Sequence, residues 1–525
     1  MSAGVPRERG GRRNSGLRQS RGRTDAPHTS RRREGGTANT ETTEALSLIS
    51  TFDTPQSSWH NSRPASTLLS SVGLNATGKS GDMALFSDSG IFQRGSNLAY
   101  RGLFQSPLPL LGNSGGADVS PLRYRTDLDK HVIHFAFQRF PHSIEIVEDE
   151  DVMSNDWHFF WMTVGRVRTI FSTAEYRLSE SQIINHFPNH YELTRKDLMY
   201  KNIKKYIRDG NNAHPAARCT PPPWTTYEHT ERVPNLLRFA DCVPVTYNIP
   251  NDLHMLKEEF KRQPGSTWIV KPTSLSQGRG IFLINRIVQL KKWLKERKEM
   301  DEVEGLPPTA YVISKYVANP LLIGGRKFDL RLYVLVTSFK PLVAYLHEQG
   351  FARFCATPYA ANALKDDNLC SHLTNVALQK GEETYNEMHG GKWSLANLCL
   401  FVQGRYGAVC ADRLMRSIEF TIYHSLKAME NVMFNDRHCF ELYGYDILID
   451  DCLQPHLIEV NSSPSLSTTT LSDRLLKEEV LADVLSIIFP PFFPSSRAMP
   501  YWEYRLRTDL TTAVPSGFRL LHVEA

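Results

Sequence analysis

Long alternations of apolar and polar residues dominate the chain only after about residue 120. Before that, Pro, Ser, Gly and Thr replace periodic apolar residues, and residues 1–120 read as a disordered tail. Order is expected to begin near "KHVIHFAFQRF", whose β-branched and aromatic run suggests a strand, followed by the aromatic "DWHFFWMTV". "LTRKDLMYKNIKKYIRD" has helical period: Met199, Ile203, Tyr206 and Ile207 form one side, and Lys201, Lys204, Lys205 and Arg208 the other. That basic side is either a solvated face or a docking face for an acidic peptide. "NDLHMLKEEFKRQPG" predicts a capped helix ending at Pro264-Gly265. Strands and helices then alternate to about residue 490, which predicts an α/β or α+β enzyme body.

Three stretches within this pattern bring charged groups onto apolar strands. "STWIVKPTSLSQGRGIFLI" delivers Lys271 at the end of a β-rich run, before a Gln277-Gly278-Arg279-Gly280 loop and a second run from Ile281. It suits a flap over a triphosphate, or else an ordinary hairpin with an exposed turn. In "GGRKFDLRLYVLVTS", Lys327, Asp329 and Arg331 alternate and so share one face, as a phosphate and ribose site or a solvated strand face would have them. "YGYDILIDDCLQPHLIEVNSSPS" predicts a hairpin turning between Cys452 and Leu453. Ile447 would face Ile458, Leu448 would face Leu457, and Asp446 would face Glu459, with Asn461 on the face of Glu459. Two opposed carboxylates repel, and burying them unpaired is costly. A divalent cation bound by Asp446, Glu459 and Asn461 relieves both problems, and an all-oxygen ligand set favours magnesium. A protonated carboxyl, or one exposed at a strand end, would need no metal.

Composition changes this picture in two places. Ten Arg against Glu8, Asp25 and Glu34 make residues 1–35 a +7 arm, whereas the whole chain is +5, leaving the remainder at −2. The arm is either a solubilising extension or a contact for an acidic partner. It lacks the apolar helix face of a transit peptide, and no run approaches the ~20 apolar residues of a membrane span. Eight Cys without a CxxC pair favour reduced thiols over disulfides or a zinc site. The spacing in "GLNATGKS", residues 73–80, fits a phosphate-binding loop. Its flanks are too short and aperiodic for the strand and helix such a loop needs, and nucleotide is expected elsewhere.

The order and spacing of "WIVKP…SQGRGIFL", "YVISKYV", "GGRKFDLRLYVLV", "GFARF", "HLTNVALQK", "GGKW", "YGYDILID" and "LIEVNSSPSL" resemble the tubulin–tyrosine ligase-like family, above all its short polyglutamylases, over residues 125–490. The resemblance implies an ATP-grasp fold of three subdomains, spanning residues 121–198, 199–317 and 318–495, with a tail over 496–525. It implies that Lys271, Gln277 and Gly278 form the phosphate flap, and that Ser314, Lys315, Tyr316 and Val317 line the adenine hinge. Lys327, Asp329, Thr374 and Asn375 would complete the nucleotide site, and Asp446, Glu459 and Asn461 would hold two magnesium ions. Arg353 and Lys392 would bind the incoming amino acid, and Arg331 would contact the transferring phosphate or the tetrahedral intermediate; catalysis would rest on Arg331, Arg353 and Glu459.

The implied reaction is ATP- and magnesium-dependent addition of L-glutamate to glutamate side chains in tubulin tails, through an acyl phosphate. A ligase for another amino acid or another protein, and a non-catalytic microtubule adaptor, are the alternatives. Tubulin or microtubules and accessory subunits are the expected partners, with no membrane or nucleic acid. The implied setting is the cytoplasmic cytoskeleton, at the axoneme or basal body of a cilium or flagellum.

Overall fold

The computed structural model describes residues 120–523 apart from 141, 147–155, 173–176, 214–236, 274, 276, 305–308, 360–368, 376–378, 380–390 and 511–515. The basic arm and "GLNATGKS" lie outside the described residues. Three sheets carry the fold. The first is parallel, with β1 (Leu122–Thr126), β2 (Ser143–Glu145), β3 (Phe159–Trp161) and β4 (Ile183–Ile184) in the order β2-β1-β3-β4. The second is antiparallel, with β5 (Thr246–Ile249), β6 (Trp268–Pro272), β7 (Phe282–Ile284) and β8 (Tyr311–Lys315) in the order β5-β8-β6-β7.

The third and largest sheet holds β9 (Leu322–Ile323), β10 (Arg326–Phe339), β11 (Leu342–Phe354), β12 (Lys392–Ser394), β13 (Glu441–Ile449), β14 (Pro455–Asn461) and β15 (Phe518–Val523). Its main order is β12-β11-β10-β13-β14, with β9 on β10 and β15 on β11. Residues 496–525, read above as a tail, thus supply β15. The long central strand β10 is buried from Lys327 onward. Its even positions, Phe328 through Val336, join one apolar core. Its odd positions carry Lys327, Asp329 and Arg331 at one end, then Tyr333 and Leu335 in a second core. Period-two alternation therefore puts ions and core on the same strand face, end to end.

Two expectations are corrected. The segment expected to be a strand at residue 130 is the helix His131–Gln138, and the strand β1 precedes it. Val132, Ile133, Ala136 and Phe137 are its buried residues, a spacing that makes one helical stripe. The stripe packs in a cluster with Val480, Leu481, Val484 and Leu485 of the helix Leu471–Ile488, and Phe137 stacks on Tyr124 at 3.8 Å. Tertiary packing overrides the β propensity of the run.

The hairpin β13–β14 also departs from a regular register. Gly444 pairs with Asn461, Tyr445 with Val460, and Asp446 with Glu459 as expected, but Ile447 pairs with Leu457 and Leu448 with His456. Ile458 is the extra residue of a β-bulge. The turn is one residue tighter than expected, with Leu453 in the left-handed region at φ 62°. The bulge lets Leu457 and Val460, of opposite parity, both face the core while Glu459 and Asn461 keep the other side.

The basic helix forms as Lys196–Ala213, with Met199 and Ile203 buried and Lys201, Lys204 and Lys205 exposed. The second expected helix is Leu253–Arg262, with Gly265 at φ 86° beyond it; the side chain of its N-cap residue Asp252 makes no capping bond. No helix among the described residues is long and apolar enough to cross a membrane.

Candidate active site

A cleft of about 850 Å³ opens between the second and third sheets. The second sheet contributes Ile269 and Lys271 of β6, the turn with Gln277 and Gly278, and Ser314 and Lys315 of β8, followed by Tyr316 and Val317. The third contributes Lys327 and Asp329 of β10, Arg353 of β11, Asp446 and Leu448 of β13, and Ile458 and Glu459 of β14. Leu373, Thr374 and Asn375 close one side. All eleven residues expected to hold nucleotide therefore line one cavity. Their segments lie far apart in the sequence.

At the apolar end, Ile269, Tyr316 and Leu373 form a small buried cluster. Lys327 donates to Tyr316 Oη at 3.0 Å and to the His372 carbonyl at 2.8 Å, and its Nζ stands 4.6 Å from the Tyr316 ring centroid. Burial lowers its pKa. Lys271 is 7% exposed and forms no ion pair among the described residues. Burial brings its pKa down to about 8, against the opposing pull of Glu459. Gln277 and Gly278, in the lining of the same cleft, take φ 61° and 78°, so the chain turns sharply between β6 and β7. A buried lysine with no ion pair among the described residues, in a cleft it shares with a glycine turn, has the charge to take an anion.

The ionic end is a strip across the sheet. Lys392 of β12 is opposite Arg353 of β11, which is opposite Asp329 of β10. One pair further along, Arg331 of β10 is opposite Asp446 of β13, which is opposite Glu459 of β14. Arg353 grips Asp329 with Nε to Oδ1 at 2.8 Å and Nη2 to Oδ2 at 2.6 Å, and also reaches Asp446 Oδ2 at 2.7 Å. Arg331 grips Asp446 through Nε at 2.6 Å and Nη2 at 3.2 Å. Burial would raise the Asp446 carboxyl, but the two guanidiniums hold it well below the usual carboxylate range. Gly444 makes room for this: a Cβ there would meet Pro464 Cβ at 2.9 Å and Arg331 Cδ at 3.3 Å.

Three expected site residues stand outside the cleft wall. Arg331 acts on it only through Asp446. Lys392 turns to Asp473, with Nζ to Oδ1 at 3.0 Å. Asn461 donates Nδ2 to the Gly444 carbonyl at 3.3 Å and to Glu459 Oε1 at 3.5 Å, which leaves its amide oxygen available. The donor set Asp446, Glu459 and Asn461 fits a hard divalent cation. Its atoms are oxygens on adjacent strands, and the three bonds accepted by Asp446 leave lone-pair capacity on that carboxylate.

Lys196 and Tyr200 are among the cleft residues missed in the sequence. Lys196 sits with Nζ 3.3 Å from Glu459 Oε2, and Tyr200 donates to the Ile458 carbonyl at 3.3 Å. Their i, i+4 spacing at the start of the basic helix was the available signal, hidden among the neighbouring lysines.

The tubulin-tyrosine ligase family model matches residues 174–497. A protein of Tetrahymena thermophila named probable alpha-tubulin polyglutamylase Ttll1 is 44% identical over 70% of this chain and 86% of its own length. The mouse protein named probable tubulin polyglutamylase TTLL9 is 37% identical over 70% of this chain and 79% of its own. The human tubulin polyglutamylase TTLL5 is 33% identical over 66% of this chain, but only 26% of its own length. With a cleft that joins a lysine flap to a carboxylate hairpin, and with these matches along its length, this chain belongs to the tubulin-tyrosine ligase family.

Proposed function

We propose that this chain is an ATP-dependent tubulin–glutamate ligase with an ATP-grasp fold, in which the second and third sheets grip the nucleotide between them. The observation that carries the reading is the cleft, where Lys271, Arg353, Asp446 and Glu459 share one lining, with Lys392 opposite Arg353 and Arg331 opposite Asp446 in the sheet behind it. The relatives named above are polyglutamylases of tubulin, and the alternating cations of the strip suit two acidic substrates.

In this reading Ile269, Tyr316 and Leu373 sandwich the base, while Lys327 and Asp329 fix the ribose and inner phosphates. Lys271 and the amides near Gly278 hold the terminal phosphate, and Thr374 and Asn375 close over it. Asp446, Glu459 and Asn461 would hold magnesium, which when bound neutralises phosphate charge. An oxygen of the tubulin γ-carboxylate forms a bond to the γ-phosphorus as the bond to the ADP oxygen breaks. The glutamate amine then bonds to the acyl carbon, loses a proton, and phosphate departs. Arg331 orients the phosphate side of this exchange, and Arg353 with Lys392 orients the carboxylates of the incoming amino acid. Stabilising oxygen charge at fixed positions is the main task of such a site. Accessory subunits and a ciliary or flagellar setting belong to the same reading.

The test is mass spectrometry of tubulin tails after incubation with the protein, ATP and each amino acid separately. Glutamate-sized additions on tail glutamates are expected. Additions of another amino acid would support the sister reading, and no ATP-dependent addition would remove both.

A further inference from the structure

The helix Leu471–Ile488 opens beneath Lys392 with a buried ionic group that the proposed mechanism leaves unused. Thr470 caps the helix by accepting from the Asp473 amide at 3.2 Å, and Asp473 Oδ2 accepts from the Thr469 amide at 3.1 Å in return. The same carboxylate takes two ammoniums: Lys392 on Oδ1 at 3.0 Å, and Lys477, one turn along, on Oδ2 at 3.1 Å. Lys477 also donates to the Ser467 carbonyl at 2.5 Å, in the segment that follows Asn461. It is 4% exposed and Asp473 is 5% exposed, so neither meets a substrate directly. Lys392 lies over the Phe351 ring at 4.9 Å, at the edge strand beside Arg353.

Two ammoniums sharing one carboxylate in a nearly dry site leave an excess positive charge. An interior Lys392–Asp473 pair alone would be neutral, and Lys392 would attract a carboxylate only weakly. Lys477 draws on the other oxygen of the same carboxylate, so the charge of Lys392, opposite Arg353 in the sheet, is only partly offset. The arrangement also ties Ser467, beyond the proposed metal-binding strand, to the amino-acid side of the site. We infer that Lys477 is a positioning residue which, through Asp473, sets the affinity of Lys392 for the carboxylate of the incoming amino acid. The inference rests on the function proposed above and adds to it a specificity device that no substrate touches.

The experiment compares steady-state kinetics of full-length wild type, Lys477→Gln and Lys477→Arg on microtubules, varying glutamate and ATP separately. Glutamate-dependent turnover by the wild type tests the function itself; the ratio between variants tests this inference. Lys477→Gln is expected to raise KM for glutamate about tenfold or more while KM for ATP stays within twofold, and Lys477→Arg to recover most of the loss. An unchanged KM for glutamate in a folded Lys477→Gln protein overturns the inference. So does a parallel rise in both KM values, the mark of a merely structural role. If Lys477→Gln does not fold, Lys477→Met supplies the same comparison.

Discussion

Asp446 and Glu459 stand directly opposite each other on β13 and β14, and the protein holds them in opposite ways. Asp446 is buried against the guanidiniums of Arg331 and Arg353, whereas Glu459 faces the cleft with Lys196 at 3.3 Å. One carboxylate is locked between two guanidiniums, and its neighbour faces the cleft beside an ammonium. Glu459→Gln is expected to lower ligation by about 100-fold or more, the scale of losing one group aimed at transition-state charge, with no loss of stability. Circular dichroism and a thermal melt alongside the ligation assay check it. Normal turnover in a folded variant would remove Glu459 from the site.

Asp446→Asn should behave differently. Arg331 loses its counter-charge and Arg353 keeps only Asp329, and breaking a buried pair of this kind costs about 3–5 kcal/mol. Because the Asp446 carboxyl is held below its unfolded value, its stabilisation is complete above about pH 4 and fades as the pH falls further. Denaturant unfolding should therefore show a wide gap between wild type and variant at pH 7 that narrows at pH 3.

ATP affinity separates the two lysine motifs. Lys271→Ala should weaken ATP binding about 10- to 150-fold, the cost of about 1.5–3 kcal/mol for a charge-assisted phosphate contact. Lys79→Ala, in "GLNATGKS", should leave it unchanged. Calorimetric titration with a non-hydrolysable ATP analogue reads both. The reverse ranking would move the nucleotide out of the cleft.

The distribution of charge predicts how the chain meets its substrate. Residues 1–35 carry +7 and the remainder −2, so long-range attraction of the body to an acidic lattice is weak. Deleting residues 1–35 should cut activity on microtubules more at low than at physiological salt, where ions already screen the arm, and added accessory subunits should restore it. Undiminished activity of the isolated, arm-deleted chain at physiological salt would show that the core recruits tubulin by itself.

The residues read from alternation lie on strands, while Gln277 and Gly278 were legible as a loop, and Thr374 and Asn375 only through the family resemblance. Lys271, the Lys327–Asp329–Arg331 face and the Asp446–Glu459 opposition follow from a period of two, which places side chains before any tertiary contact is known. The helix at His131 was not legible: its aromatic and β-branched run favours a strand, and only the partner helix Leu471–Ile488 decides otherwise. Lys196, Asp473 and Lys477 escaped for a related reason. Each meets its partner across a turn of helix or between distant segments, and an isolated Lys or Asp in a polar stretch carries no such period.

The extra residue at Ile458 makes the hairpin less tolerant of changes in length than of changes in chemistry. Swapping one aliphatic residue for another there keeps Glu459 and Asn461 where they are. Inserting a residue between Leu457 and Glu459, or losing one from the turn, would rotate Glu459 and Asn461 away from the cleft or push Leu457 out of the core; only the loss of Ile458 itself keeps the alternation, as a regular ladder. Drift along this lineage is thus expected to leave indels in the connecting segments and to spare the few residues between the turn and Glu459.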